Sequence, residues 1–306
     1  MELIYKLLNT PCASGLEAHF AELLKNELGG GCTDENGSLI YHKEGKGKSI
    51  IFAASMDSPS VFVTHTGENG FVRFCTNGIE AKDICGMHVR FDDNSRGVVF
   101  KEKDRENTAD FFIDTFGRGA KESESASPDI PVTETDNTVS AFDAGRAAVI
   151  YAMLKAAKAL DGADVYFVFL AKTLGNRHSA SFLERLPRDA ELVFIDKSEA
   201  NDIPGEREVF VRLGGGVCVR AMDKSVISSK PLFEKAAALK NVKIQKEVSQ
   251  RKNAGGALQK AFTGLGTLSV GLPVRYCGRL CETVSKEDIS ELAKFIECYS
   301  NEGQEL

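Results

Sequence analysis

The sequence predicts an α/β sheet interrupted by a separate β-rich insertion. Three observations carry that prediction. Residues 165–170 and 191–196 are apolar runs of strand length, the pattern of strands buried on both faces. Helical periodicity alternates with such runs from residue 143 onward. Between residues 61 and 114 the pattern changes to short β-like runs separated by Gly, Asn and Asp, the spacing of a small, mostly antiparallel unit.

Taken in order, residues 2–8 and 15–28 place apolar side chains at helical spacing. The segment Thr10-Pro11-Cys12-Ala13-Ser14-Gly15 separates them, with Ser14 the expected N-cap. Gly29-Gly30-Gly31 ends the second helix. Residues 38–42 and 49–54 read as strands around the turn Gly45-Lys46-Gly47. Within the insertion, residues 61–65, 71–75, 97–101 and 110–114 read as strands. Residues 117–136 are polar and rich in Ser, Glu and Pro, and read as a connector.

Residues 143–160 predict an amphipathic helix with Ala147, Ile150, Tyr151, Leu154 and Ala157 on one face. After the strand at 165–170 come a short helix at 180–186 and the strand at 191–196. Residues 209–213 and 217–221 read as strands and 231–239 as a helix. Residues 243–248, 257–263, 266–270 and 287–299 then continue strand, helix, strand, helix. The division expected is residues 1–62 with 138–306 in the α/β unit, and 63–137 in the insertion and its connector.

Composition narrows the function classes. The chain has 306 residues and a net charge of −6, which argues against a nucleic-acid partner because phosphate binding needs a basic surface. No segment approaches the roughly 20 apolar residues of a membrane span. Met1-Glu2-Leu3-Ile4-Tyr5-Lys6 reads as the start of a helix and not as a secretory leader. The eight cysteines are scattered without a C-x-x-C pair, a usage that predicts reduced thiols and a cytoplasmic protein. There are only five histidines.

Chemistry-bearing residues gather where a doubly wound sheet places ligands, at the carboxyl ends of parallel strands. The strand at 49–54 runs into Ser55-Met56-Asp57, and the strand at 165–170 into Ala171-Lys172-Thr173-Leu174-Gly175. The strand at 191–196 ends in Asp196, a long helix opens at Asp143, and Pro273-Val274-Arg275-Tyr276-Cys277-Gly278 lies near the carboxyl end. In this order, and with Pro11–Gly15, Asp202-x-Pro204-Gly205 and Leu213-Gly214-x-Gly216, the chain resembles the tetrahedral aminopeptidases. These are cytosolic di-zinc enzymes, also called glutamyl or deblocking aminopeptidases, and some carry the name endoglucanase. The resemblance spans nearly the whole chain. It implies a doubly wound zinc-peptidase (phosphorylase/hydrolase-like) α/β sheet with an inserted small β-barrel-like domain used for dimer contacts. It also implies dimer-based homo-oligomers, up to hollow dodecamers.

The departures from the family pattern are chemical. The family motif A-H-M-D-E reads Ala54-Ser55-Met56-Asp57-Ser58, so Ser55 stands at a zinc-histidine position and Asp57 keeps the supporting carboxylate. The bridging carboxylate is kept as Asp143 and a terminal ligand as Asp196. In place of the two glutamates of Q-E-E-V-G stand Lys172, at the general-base position, and Thr173, at a ligand position. The last histidine of R-Y-x-H-S aligns with Gly278, after Arg275 and Tyr276 of the pocket. A catalytic zinc takes about three protein ligands plus water, and its water needs a base. An ammonium at Lys172 is the opposite of a base.

The resemblance therefore implies zinc or cobalt in the family but no metal in this chain, with Asp143 and Asp196 as remnants. Two carboxylates left without a dication repel one another, and Lys172 is the cation expected to pair with them. The functional expectation is a non-catalytic homologue with a peptide-binding, assembly or regulatory role, as a homo-oligomer or assembled with an active paralogue. The alternatives are an active metal-dependent aminopeptidase with an altered site, and a new activity in the old pocket. A thiol reaction at Cys277 or Cys281, activated by His178 or Lys172, is one such activity. Plainer readings exist as well: Asp57 as a turn residue, Asp143 as an N-cap, His178 as a solvated side chain.

Overall fold

The structure is a computed structural model that describes residues 2–67, 69–103, 110–174, 186–206, 208–261 and 265–302. Helices α1 (Glu2–Asn9) and α2 (Ala18–Leu28) precede strands β1 (Cys32–Thr33), β2 (Leu39–Lys43) and β3 (Lys46–Ser55). The chain then forms β4 (Ser60–Thr66), β5 (Phe71–Asn77), β6 (His88–Phe91), β7 (Arg96–Lys101), β8 (Phe111–Asp114) and β9 (Ser125–Pro128). These six close into an antiparallel barrel in the order β4-β5-β8-β7-β6-β9.

The chain returns through β10 (Thr133–Glu134), β11 (Thr138–Ala141), α3 (Ala144–Ala159), β12 (Ala163–Leu170) and β13 (Glu191–Glu199). It continues through β14 (Val217–Met222), α4 (Lys230–Ala237), β15 (Ile244–Val248) and α5 (Gly255–Ala261). It ends with β16 (Thr267–Arg275), β17 (Glu282–Ser285) and α6 (Lys286–Asn301). The main sheet has 11 strands, and β12, β3, β13 and β16 form its parallel centre. The α/β sheet with an inserted barrel is thus present as the sequence predicts.

Strand alternation sorts the core into two layers. Ile50, Phe52, Phe167, Phe169, Val193 and Ile195 face the layer that holds α1, α2, α3, α4 and α6. Ile51, Ala53, Val168, Leu170, Leu192 and Phe194 face the other, which includes Leu258 of α5. The barrel has its own core around Val61, Phe74, Val89 and Ile113. No helix of the described residues is long and apolar enough to cross a membrane.

Several expectations change. Ser14 caps nothing: the N-cap position of α2 is Glu17, without a side-chain cap, and the Ser14 hydroxyl turns to Asp57 instead. Helix α3 is buried nearly all round rather than along one face, because its many alanines let the sheet, α1 and α6 approach closely. Residues 209–213 form no strand; the backbone N–H groups of Phe210 and Val211 are held by Asn201 Oδ1, at 2.9 and 3.1 Å. The predicted connector at 117–136 contains β9 of the barrel and β10 of the main sheet. The helix predicted at 180–186 lies outside the described residues, apart from Leu186.

Candidate functional site

Strands β3 and β12 end side by side, Ser55 opposite Leu170. Just beyond them Met56 and Asp57 turn inward and are buried. Asp57 is fastened on three sides: Oδ2 accepts from Ser14 Oγ at 2.8 Å and Leu174 N at 2.9 Å, and Oδ1 accepts from the Thr173 hydroxyl. It is therefore a junction between the β3 and β12 ends, not a simple turn residue. Thr173, expected at a lost ligand position, spends its hydroxyl on this carboxylate.

Lys172 has a left-handed backbone (φ 56°), and its N–H donates to Glu17 Oε1 at 2.7 Å. It is not among the residues lining either cavity described below, and no ion pair to Asp143 or Asp196 is among its contacts. The expectation that Lys172 balances the carboxylates is corrected by the position of Lys197. Lys197 Nζ lies 2.9 Å from Asp143 Oδ1 and 2.9 Å from Glu282 Oε1. Neither Lys197 nor Glu282 stood out in the sequence.

Asp143 occupies the N-cap position of α3 in a left-handed conformation (φ 51°), yet its side chain caps nothing. Its Oδ1 meets Lys197 and its Oδ2 accepts from Arg146 Nε at 2.7 Å. Burial alone would raise the Asp143 carboxyl, but Lys197 and Arg146 outweigh it and hold the group below the usual range. Burial also opposes the Lys197 ammonium, and Asp143 and Glu282 outweigh it in turn, raising the lysine well above its ordinary value. Arg146 is itself buried, lies over the Phe20 ring at 4.9 Å, and donates to Met56 O at 3.1 Å.

Glu282 is 1% exposed. Beyond Lys197, its Oε1 accepts from Gly278 N at 2.7 Å and its Oε2 from Gly145 N at 2.9 Å. Gly278 has no side chain to offer, and the space it leaves is neighboured by Arg251: a Cβ there would stand 3.4 Å from Arg251 Nη2. Arg251 donates to Cys277 O at 3.2 Å.

Two adjoining cavities meet over this network. One, of about 320 Å³, is lined by Ser55, Asp57, Thr173, Asp196 and Arg251. The other, of about 830 Å³, reaches Tyr276, Phe142 and Leu280 on one side and Gly78, Glu80 and Asp83 of the barrel on the other. Asp143, Lys197 and Gly278 line both. Tyr276 is exposed on a left-handed backbone (φ 58°). Arg275 lines neither cavity; its Nε and Nη2 pair with Asp202 at 2.8 and 2.5 Å, so it braces the neighbouring loop and not the pocket.

The donor set does not fit a pair of zinc ions. Of the expected positions only Asp143 and Asp196 carry ligating side chains, and both oxygens of Asp143 are taken by cations. Among the described residues no group of three or more His, Cys, Asp or Glu is arranged to hold a metal ion. His178 lies outside the described residues. Burial pushes the Cys277 thiol up to about 12, and burial with Glu282 raises Cys281, so both are protonated at neutral pH and poor nucleophiles.

A profile of the M42 glutamyl aminopeptidase family matches residues 37–295. A protein of Acetivibrio thermocellus, whose own description only suggests an aminopeptidase, is 28% identical over 96% of each chain. Among solved structures, aminopeptidase APDkam598 of Desulfurococcus kamchatkensis superposes with a TM-score of 0.89 at 22% identity, covering 98% of this chain and 94% of that one. The TET1 peptidase of Pyrococcus horikoshii, which can assemble into a tetrahedron or a large octahedral shell, gives 0.82 at 23% identity over 98% of each chain.

Proposed function

The chain belongs to the M42 glutamyl aminopeptidase family, and from that premise we propose that it is a non-catalytic member acting in assembly or peptide binding. One observation carries the reading: both oxygens of Asp143, the carboxylate expected to bridge two metals, are engaged by Lys197 and Arg146. An ammonium and a guanidinium in that position repel divalent ions, and neither Lys172 nor Thr173 is a base able to activate water. The cavity of about 830 Å³ is the size of a small-ligand or peptide pocket and combines aromatic walls with a charged floor. By analogy with the shell-forming TET1 peptidase, the chain forms a closed homo-oligomer or joins one built by an active relative.

The test is elemental analysis of the purified protein, paired with an aminopeptidase assay in added zinc, cobalt or manganese. The expected result is substoichiometric metal and no turnover. Two ions per chain together with peptide hydrolysis would overturn the proposal. Sizing by light scattering, with and without an active family member present, reads the assembly role.

A further inference from the structure

The smaller cavity carries two charges that the network around Asp143 does not use. Resting on the non-catalytic reading above, which releases Asp196 from metal binding, we propose that this cavity binds a free α-amino acid. Its carboxylate sits on Arg251 and its ammonium on Asp196.

The charges in the cavity wall sort into engaged and unengaged. Asp57 accepts from Ser14, Thr173 and Leu174. Asp143 is held by Lys197 and Arg146, which it occupies in turn. Asp196 and Arg251 line the same cavity of about 320 Å³, and among the described residues Asp196 makes no hydrogen bond or ion pair. Arg251 Nη1 donates to Cys277 O at 3.2 Å and stands 3.7 Å from Glu199, whose side chain is 59% exposed. Its Nη2 borders the space over Gly278, where a Cβ would stand 3.4 Å away. That leaves the Nε–Nη2 edge of the guanidinium, the edge by which Arg275 grips Asp202. Burial opposes the Arg251 charge, and Cys277, Asp196, Glu199 and Glu282 together outweigh it. Asp196 is thus near enough for Arg251 to feel and too far to pair with it.

Opposite charges held apart across a small cavity fit a ligand that carries both complements close together. An inorganic anion would satisfy Arg251 but face the Asp196 carboxylate, and a simple amine would do the reverse. In an α-amino acid one carbon separates the ammonium from the carboxylate. In a dipeptide they stand a residue further apart, about 3.5 Å in extended chain. The planar fork of arginine takes a carboxylate through two parallel N–H bonds. Lysine 252 lines the same cavity and adds to its attraction for the carboxylate end. The larger cavity, reached past Gly278, gives the side chain room beside Phe142 and Leu280.

The test is isothermal titration calorimetry of the full chain in chelator, with each of the standard L-amino acids as probe. The best binder is then compared with its N-acetyl derivative, its amide and its own dipeptide. Saturable one-site binding is expected. Each altered ligand should bind roughly tenfold more weakly or worse, the loss of a hydrogen bond to a charged group. Arg251→Met and Asp196→Asn should each weaken binding by a similar factor, with thermal unfolding showing that both are folded.

A protein that binds none of the amino acids at millimolar concentration overturns the proposal. So does one that takes the acetylated or amidated ligand equally well, or a folded variant that binds like wild type. Should the variants fail to fold, the altered ligands decide alone. A wild type that holds two metal ions, hydrolyses peptide and binds amino acid only with metal present overturns this proposal and the non-catalytic reading together. A metal-free, inactive wild type that binds no amino acid overturns this proposal alone.

Discussion

A Cβ at residue 145 would stand 2.5 Å from Lys197 Cδ and 2.8 Å from a Val274 methyl. Inside an ordinary helix, Gly→Ala gains up to about 1 kcal/mol. Here the added methyl overpacks, at about 1–3 kcal/mol, and displacing Lys197 would break a buried pair as well. Gly145→Ala is therefore expected to destabilise by about 1–3 kcal/mol in urea unfolding, against the helix trend. A variant as stable as wild type would show that the lysine stem has another route. The cation expected on Asp143 and Asp196 was Lys172, because the family pattern puts residue 172 in the pocket, whereas Lys197 stands beside Asp143. Lys197 follows Asp196 in β13, and adjacent strand residues leave opposite faces. A lysine that enters the site over a glycine of another element leaves no local signal.

Helix α6 begins with a side-chain cap that the sequence spacing could not rank above its neighbours. Ser285 Oγ accepts from Glu287 N at 3.2 Å and Asp288 N at 3.4 Å. Ser285→Ala should lower stability by about 1 kcal/mol, read by chemical denaturation; no change would mean that water serves these N–H groups equally well. The same turn anchors the glycine loop, since Asp288 accepts from Gly214 N and Gly216 N, each at 2.8 Å. Strands β12 and β13 were legible because burial on both faces leaves unbroken apolar runs, and α3 was legible as a helix from its periodicity, though not its burial all round. Strand β9, Ser125–Pro128, was not: it is small and polar, and pairing within a closed barrel makes it a strand. Residues 209–213 failed in the opposite sense. Their β-branched and aromatic side chains resemble a strand, yet Phe210 is 71% exposed.

Across the whole molecule, acid stability follows from opposed groups. Burial raises Asp288 to about 6, and its two backbone donors only partly offset that. A pKa raised above the unfolded value of 3.8 gives stability that is complete below 3.8 and lost as pH rises through about 6. Asp164 and Asp202 shift the other way. Burial would raise both, but Ser49 and His42 outweigh it at Asp164 and Arg275 at Asp202. Their contribution is present above about pH 4 and disappears as pH falls through their lowered values. The unfolding midpoint is thus expected to hold or rise from pH 7 toward about 4 and to fall below it. A steady decline beginning at pH 6 would contradict this balance.

The barrel enters and leaves the main fold through paired strands, with Val61 of β4 opposite Ala126 of β9. Neighbours in an antiparallel pair lie only about 5 Å apart, so the chain enters and leaves the barrel close together, while Arg90 donating to Asn9 and Leu280 against the barrel core join the two units elsewhere. A two-residue or three-residue turn could bridge that gap. A shortened chain that skips the barrel would keep the order of the central strands along the sequence, but would lose the Arg90 contacts to Asn9 and the wall that Gly78, Glu80 and Asp83 give to the larger cavity.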